Sequence, residues 1–293
     1  MKRSRRYAVV DVFTMRPLLG NPVAVVLDGE GLDTAAMQAI ANWTNLSETT
    51  FVLPPSVPEA DYRLRIFTPR SELPFAGHPT LGSAHAILES GRVTPRWSGR
   101  FIQQCEIGLV DVSMVERGGS LQMTLGLPPS RVDPVSPEDV AELEQIFGCG
   151  GCIVTAPAVV NVGAVWTILH LPDAATVLGL RPDLARLADF ERRLGITGVA
   201  AFGAHASGEA AIEVRAFAPS CGVDEDPVCG SGNGSVAVFQ WVRGLLPSGG
   251  LDYVAAQGSR VGRDGRVHVS VDASGNVRIG GSCVTCVEGT LTL

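Results

Sequence analysis

The sequence predicts an α+β protein made of two pseudo-symmetric halves, each with largely antiparallel strands around a helix of small residues. Three observations carry this. The first is a long-range repeat. Residues 65–69 read RIFTP and residues 215–219 read RAFAP, and each is followed by a polar loop and a glycine-led helix start, at Gly77 and Gly230. The second is that the order strand, helix, strand, helix, meander runs through the chain twice. The third is that both glycine-led helices are rich in Gly, Ser and Ala, which lets neighbouring backbone come close. A central helix wrapped by a sheet fits that composition. With 293 residues the chain has room for two domains of ordinary size. They are placed at 1–127 and 128–293, with the last strand free to return to the first.

In the first half, residues 7–13 read as a strand, and Gly20-Asn21-Pro22 turns the chain into a second at 23–27. Asp33 or Thr34 caps a helix reaching about Asn42, with Met37, Ile40 and Ala41 on its apolar side. The β-branched run 49–53 and the alternating run 62–67 are strands. Pro79 suits a helix first turn, and Leu81, Ala84, His85 and Leu88 keep helical spacing until Gly91. Residues 101–107, 109–116 and 121–125 read as a meander with glycine turns.

The proline-rich run 127–137 is the linker, and it ends in a helix start with Ser136 as cap and Pro137 in the first turn. Residues 154–171 are strand-like and broken near Pro157 and Gly163, and 183–194 is an amphipathic helix. Strands follow at 199–202 and 211–217, then the second small-residue helix at about 231–243. From Leu251 on, strands alternate with turns at Arg263-Asp264-Gly265 and at 273–276.

Composition narrows the function. A net charge of −7 argues against nucleic-acid binding, which needs basic patches. The basic start is followed by an apolar run of only four residues before Asp11, too short for a signal peptide, and no run approaches a membrane span. The expected location is cytoplasmic, with no membrane partner. Seven cysteines without an export signal favour free thiols over a disulfide framework. The pairs Cys149/Cys152 and Cys283/Cys286 lie too far apart in sequence for a zinc ribbon, so no metal is expected.

Several residues can carry chemistry. Glu48 sits between an Asn-Leu-Ser turn and an apolar strand, with no lysine or arginine beside it in sequence. It reads either as an edge carboxylate or cap, or as a base whose pKa is raised in a partly apolar site. His78 follows Gly77 at a helix start. It is either a first-turn histidine bonded to backbone, or a neutral donor to substrate whose pKa the helix dipole lowers. Glu225-Asp226 is either a solvated acidic turn or a second carboxylate at the site. Cys229, at the next helix start, is expected to have a depressed pKa, as a nucleophile, an acid/base or a small filler. The N–H groups at Gly77 and at Gly230 and Ser231 suit a carboxylate or enolate, held between the halves. The run 230–234 matches neither a P-loop nor a dinucleotide fingerprint.

Taken together, residues 11–14 (DVFT), 20–25 (GNPVAV), 45–51 (NLSETTF), 65–69 (RIFTP), 74–80 (PFAGHPT) and 225–231 (EDPVCGS) resemble the PhzF-like family of phenazine-biosynthesis proteins. That family lies within the diaminopimelate epimerase-like fold. The resemblance implies barrel-like sheets around central helices, an active site between the domains, an isomerase that needs no cofactor, and commonly a homodimer. It implies that Glu48 is the acid/base, that His78 and Asp226 assist it, and that Ser231 belongs to the site. Gly77, Cys229 and Gly230 join the substrate-binding set. The phenazine enzyme has threonine where this chain has Cys229, and Cys-Gly-Ser-Gly also resembles the second cysteine motif of the two-thiol racemases. Glu48 stands where their first cysteine would be. The expected function is proton transfer on a small carboxylate-bearing metabolite. The alternatives are an epimerase with a Glu48/Cys229 pair, or a non-catalytic binding protein of the same fold.

Overall fold

The computed structural model describes residues 3–117 and 119–293. It divides into two compact units, Met1–Leu125 with Gly280–Leu293, and Gly126–Ile279. The chain from Gly280 on therefore lies with the first unit.

The first unit opens with β1 (Ser4–Val12) and β2 (Asn21–Val26), an antiparallel pair. Phe13 is buried with φ 67°, so β1 ends one residue before the expected limit. Helix α1 (Thr34–Thr44) is capped by the Asp33 side chain on the Ala36 N–H and ends at Asn45 in the left-handed region. Strands β3 (Glu48–Leu53), β4 (Tyr62–Phe67) and β5 (Glu72–Leu73) lead to helix α2 (Gly77–Ser90). The meander β6 (Arg100–Cys105), β7 (Gly108–Arg117) and β8 (Ser120–Gly126) follows. The last strand of the chain pairs antiparallel with β1 along its whole length and also pairs with β8. This closes the sheet into a barrel around α2.

Small residues let α2 sit inside that barrel. A Cβ at Gly82 would stand 2.4 Å from Val23 Cγ1 and 2.9 Å from Val12 Cγ2. Helix α1 lies outside, burying Met37, Ile40 and Ala41 against the edge-on pair Phe51 and Phe67.

The second unit starts with β9 (Arg131–Pro134), inside the run expected to be a linker. An extended, proline-rich stretch can still pair, and β9 does so antiparallel with the next strand, with Pro134 at its last position. Helix α3 (Pro137–Phe147) is capped by Ser136. Strands β10 (Thr155–Val162) and β11 (Ala164–His170) turn at Gly163, which has φ 98°. The short helix α4 (Ala174–Gly179), capped by Asp173, was not expected from the sequence, and α5 (Leu184–Leu194) follows. Then come β12 (Gly198–Ala204), β13 (Ile212–Ala218), β14 (Val223–Asp226), α6 (Gly230–Val242), β15 (Leu251–Gln257) and β16 (Gly265–Val271). A turn held by the Asp272 carboxylate leads into β17 (Val277–Thr292), the long last strand.

Strand pairing repeats between the units. β2–β3 and β11–β12 are parallel, and β3–β4 and β12–β13 are antiparallel. β4–β6 and β13–β15 are parallel, each spanning a central helix, and β6–β7 and β15–β16 are antiparallel. The RxFxP repeat has a physical basis. In each unit the arginine binds a glutamate of the next short strand with two N–H groups: Arg65 with Glu72, and Arg215 with Glu225. In each, its guanidinium also lies over the motif phenylalanine, Phe67 or Phe217.

One expectation about thiols is corrected. Cys149 and Cys152 are joined in a disulfide, while Cys105, Cys221, Cys229, Cys283 and Cys286 are free. Gly148 takes the left-handed region after α3, and the Cys152 N–H bonds to the Cys149 carbonyl. That turn sets the two Cα atoms 5.4 Å apart, within disulfide range. Among the described residues no helix is long and apolar enough to cross a membrane.

Candidate active site

In the first unit, Glu48 and His78 come together. Asn45 adopts φ 54°, which asparagine tolerates, and so stops α1 and turns the chain back. Glu48 is then the first residue of β3, opposite Val23 of the parallel β2. Two residues on, the buried Thr50 Oγ1 lies 2.8 Å from Ser83 Oγ, tying β3 to α2. His78, in the first turn of α2, is buried, and its Nε2 lies 3.3 Å from Glu48 Oε2. Gly77 is the first residue of that helix.

Burial governs the charge of Glu48. Its side chain is 16% exposed. Desolvation pushes its pKa up to about 7, and the Ser47 hydroxyl offsets this only in part. Such a carboxyl is populated in both protonation states at neutral pH, which suits a group that takes a proton and gives it back.

In the second unit, Asp226, Cys229, Gly230 and Ser231 lie on one loop and the helix start that follows. Glu225 is committed to Arg215, whose other nitrogen holds the Val177 and Leu180 carbonyls at the end of α4. Asp226 is the last residue of β14 and accepts the Val228 N–H at 3.1 Å. Cys229 is the cap of α6, and its sulfur accepts the Gly232 N–H at 3.2 Å. Ser231 Oγ lies 3.6 Å from that sulfur and accepts the Trp166 indole N–H at 3.0 Å.

The expected depression of the Cys229 pKa is corrected. Burial pushes the thiol well above its ordinary value, and the Asp226 carboxylate adds to the shift. The N–H groups of the helix start oppose this more weakly than desolvation drives it. Cys229 therefore stays a thiol at neutral pH.

Two residues that hold this loop in place were not found from the sequence. Gln257, at the end of β15, accepts from the Cys229 N–H at 3.0 Å and from Asn233 Nδ2 at 2.8 Å. Its own amide donates to the Asp226 carbonyl at 2.9 Å. One buried side chain thus ties both ends of the segment 226–229 to the helix. Trp166, which donates to Ser231, is the second. The first unit has a related device, since buried Gln103 of β6 donates to Thr80 of α2. No local pattern marks these residues, because strand pairing sets their reach. Two surface hollows, one beside Trp97 and Leu109 and one beside Val135 and Leu194, hold none of the candidate residues.

Comparison with known proteins supplies the family. The family model described as "Phenazine biosynthesis-like protein" matches residues 10–289. The chain is 40% identical over 288 residues to "Antisense-enhancing sequence 1" of Schizosaccharomyces pombe, covering 96% of each. It is 33% identical to trans-2,3-dihydro-3-hydroxyanthranilate isomerase of Pseudomonas aeruginosa, covering 97% of this chain and 98% of that one. Among solved structures, a PhzF-family protein of Bacillus anthracis matches with a TM-score of 0.88 at 22% identity, over 99% of this chain and 100% of that chain. That likeness concerns the fold.

Proposed function

This chain belongs to the phenazine biosynthesis-like protein family and is an isomerase, and from that premise we propose that it moves a proton within a small carboxylate-bearing metabolite without a cofactor. Glu48 takes the proton from one carbon and returns it to another. The observation that carries this reading is the buried Glu48 carboxyl, held at about 7, with His78 Nε2 at 3.3 Å. His78 bonds the substrate and shares the charge that develops as the proton leaves. Asp226 assists by orienting the substrate. Backbone N–H groups at Gly77 and His78, and at Gly230 and Ser231, stabilise the developing negative charge. In comparable sites such a donor is worth ~3 kcal/mol.

The protonation of Cys229 favours one base over two. A reversible epimerase with a Glu48/Cys229 pair needs each group to accept a proton in one direction. A thiol pushed well above its ordinary pKa does so poorly at neutral pH. Cys229 instead fills and caps the start of α6. The family resemblance also supports a homodimer as the working form.

The substrate named for the Pseudomonas enzyme, trans-2,3-dihydro-3-hydroxyanthranilate, is the first compound to test. The purified protein should convert it with no added metal or redox cofactor. Glu48→Gln should lower the rate by about 10²- to 10⁴-fold, the usual contribution of a positioned acid/base. A Glu48→Gln protein as fast as the wild type would remove Glu48 from the mechanism. Turnover that appears only when a cofactor is supplied would overturn the cofactor-free step.

A further inference from the structure

Trp166 is buried on β11, and its place is prepared by the strand beside it. It pairs with Gly198 of β12, where a Cβ would stand 2.7 Å from the indole Cζ3. A Cβ there would also stand 2.1 Å from the Phe217 carbonyl oxygen, so only glycine lets the ring and that backbone lie so close. The ring so placed sends its N–H to Ser231 Oγ at 3.0 Å.

The direction of that bond is fixed by chemistry. An indole N–H only donates, so Ser231 Oγ accepts. Trp166 is 2% exposed, so water does not compete for its N–H. Ser231 has one proton to give. The nearby Cys229 sulfur, at 3.6 Å, is a weak acceptor that already receives the Gly232 N–H. An anionic oxygen is the stronger acceptor, and a hydroxyl that accepts one hydrogen bond donates the next more strongly. Ser231 itself is only half-buried, so a ligand can reach it.

We propose that Trp166 is a positioning residue that commits the Ser231 hydroxyl to donate to a carboxylate of the substrate. The inference rests on the reading that places Ser231 in the substrate-binding set. Trp166 touches no reacting atom in this account and acts only through Ser231.

The test has two arms. The first needs no ligand. With the four tryptophans labelled with ¹⁵N at the indole, Ser231→Ala should shift one indole N–H resonance and speed its exchange with water. That resonance should be the one missing in Trp166→Phe. If Ser231→Ala moves no indole resonance, the bond and the proposal both fail. This arm stands even if Trp166→Phe does not fold, because Ser231→Ala keeps the ring.

The second arm measures binding of 3-hydroxyanthranilate, the aromatic counterpart of the relative's substrate. Trp166→Phe and Ser231→Ala should each weaken it about three- to tenfold, the range for one lost hydrogen bond. The double variant should bind no worse than Ser231→Ala alone, since Trp166 has nothing left to orient. Losses that multiply would overturn the proposal and leave Trp166 a packing residue. A wild-type protein that does not bind the probe while the first arm succeeds would overturn the carboxylate reading of the site, and this proposal with it.

Discussion

Burial acts on Glu48 and Cys229 in the same direction and with opposite chemical consequences. It brings the carboxyl from 4.5 up to about 7, next to working pH, and takes the thiol further from it. Because the Glu48 pKa is higher folded than unfolded, its proton stabilises the fold. That contribution is complete below about pH 4.5 and is lost as the pH rises through about 7. The size is roughly 3 kcal/mol, at about 1.36 kcal/mol per pKa unit. Urea unfolding should therefore find Glu48→Gln more stable than wild type at pH 8, with a flatter pH dependence between 4.5 and 7. Identical pH profiles for the two proteins would show that Glu48 titrates as an exposed carboxyl. For activity the sign reverses, because the base must be ionised. The wild-type kcat/KM should rise with pH through about 7. Glu48 and His78 were legible because each sits in a short local motif. Trp166 and Gln257 were not, since what they touch depends on strand pairing across many residues.

At the scale of elements, the central helices and the RxFxP strands hold the candidate residues in place. Gly82 lets α2 lie against β1 and β2, so Gly82→Ala should force a shift of the backbone or of Val23 and Val12. Overpacking of this kind costs about 1–3 kcal/mol. A urea midpoint unchanged from wild type would mean the helix is not packed that closely. The two arginines offer a graded comparison. Arg215 and Glu225 are 6% and 11% exposed in their side chains, against 16% and 31% for Arg65 and Glu72. Arg215 also holds two carbonyls of the α4 end. Arg215→Met should cost about 3–5 kcal/mol, the range for breaking a buried pair. Arg65→Met should cost less, and the reverse ranking in calorimetry would contradict this account of the repeat. The repeated motif was visible in the sequence as spacing. Its partners were less visible, because Glu72 and Glu225 lie at different distances from their arginines, seven and ten residues on. The strand β9 and helix α4 were missed for another reason. One is proline-rich and the other is a six-residue turn of helix, too short for periodicity to register.

At the scale of the whole molecule, the chain's end completes its beginning. Residues 283–292 pair with Ser4–Val12, so the first barrel closes only when the last strand has arrived. Deleting residues 280–293 should strip hydrogen-exchange protection from β1, whose N–H and C=O groups lose their partners, while α6 and β13 keep theirs. Protection of β1 unchanged by the deletion would mean the barrel does not depend on that strand. The α+β class and the two related halves were legible from the repeat. The return of the last strand to the first half was allowed for, but its partner β1 was not legible, because a strand's partner is not written in its own alternation. The central claim is that one buried carboxyl carries the proton in the reaction of this isomerase. Its most direct test is turnover in D2O of trans-2,3-dihydro-3-hydroxyanthranilate, followed by mass spectrometry. The wild-type product should carry deuterium at the carbon that regains a proton, because the Glu48 carboxyl exchanges with solvent between taking and returning it, and Glu48→Gln should form labelled product about 10²- to 10⁴-fold more slowly. Labelled product from Glu48→Gln at the wild-type rate would contradict the claim.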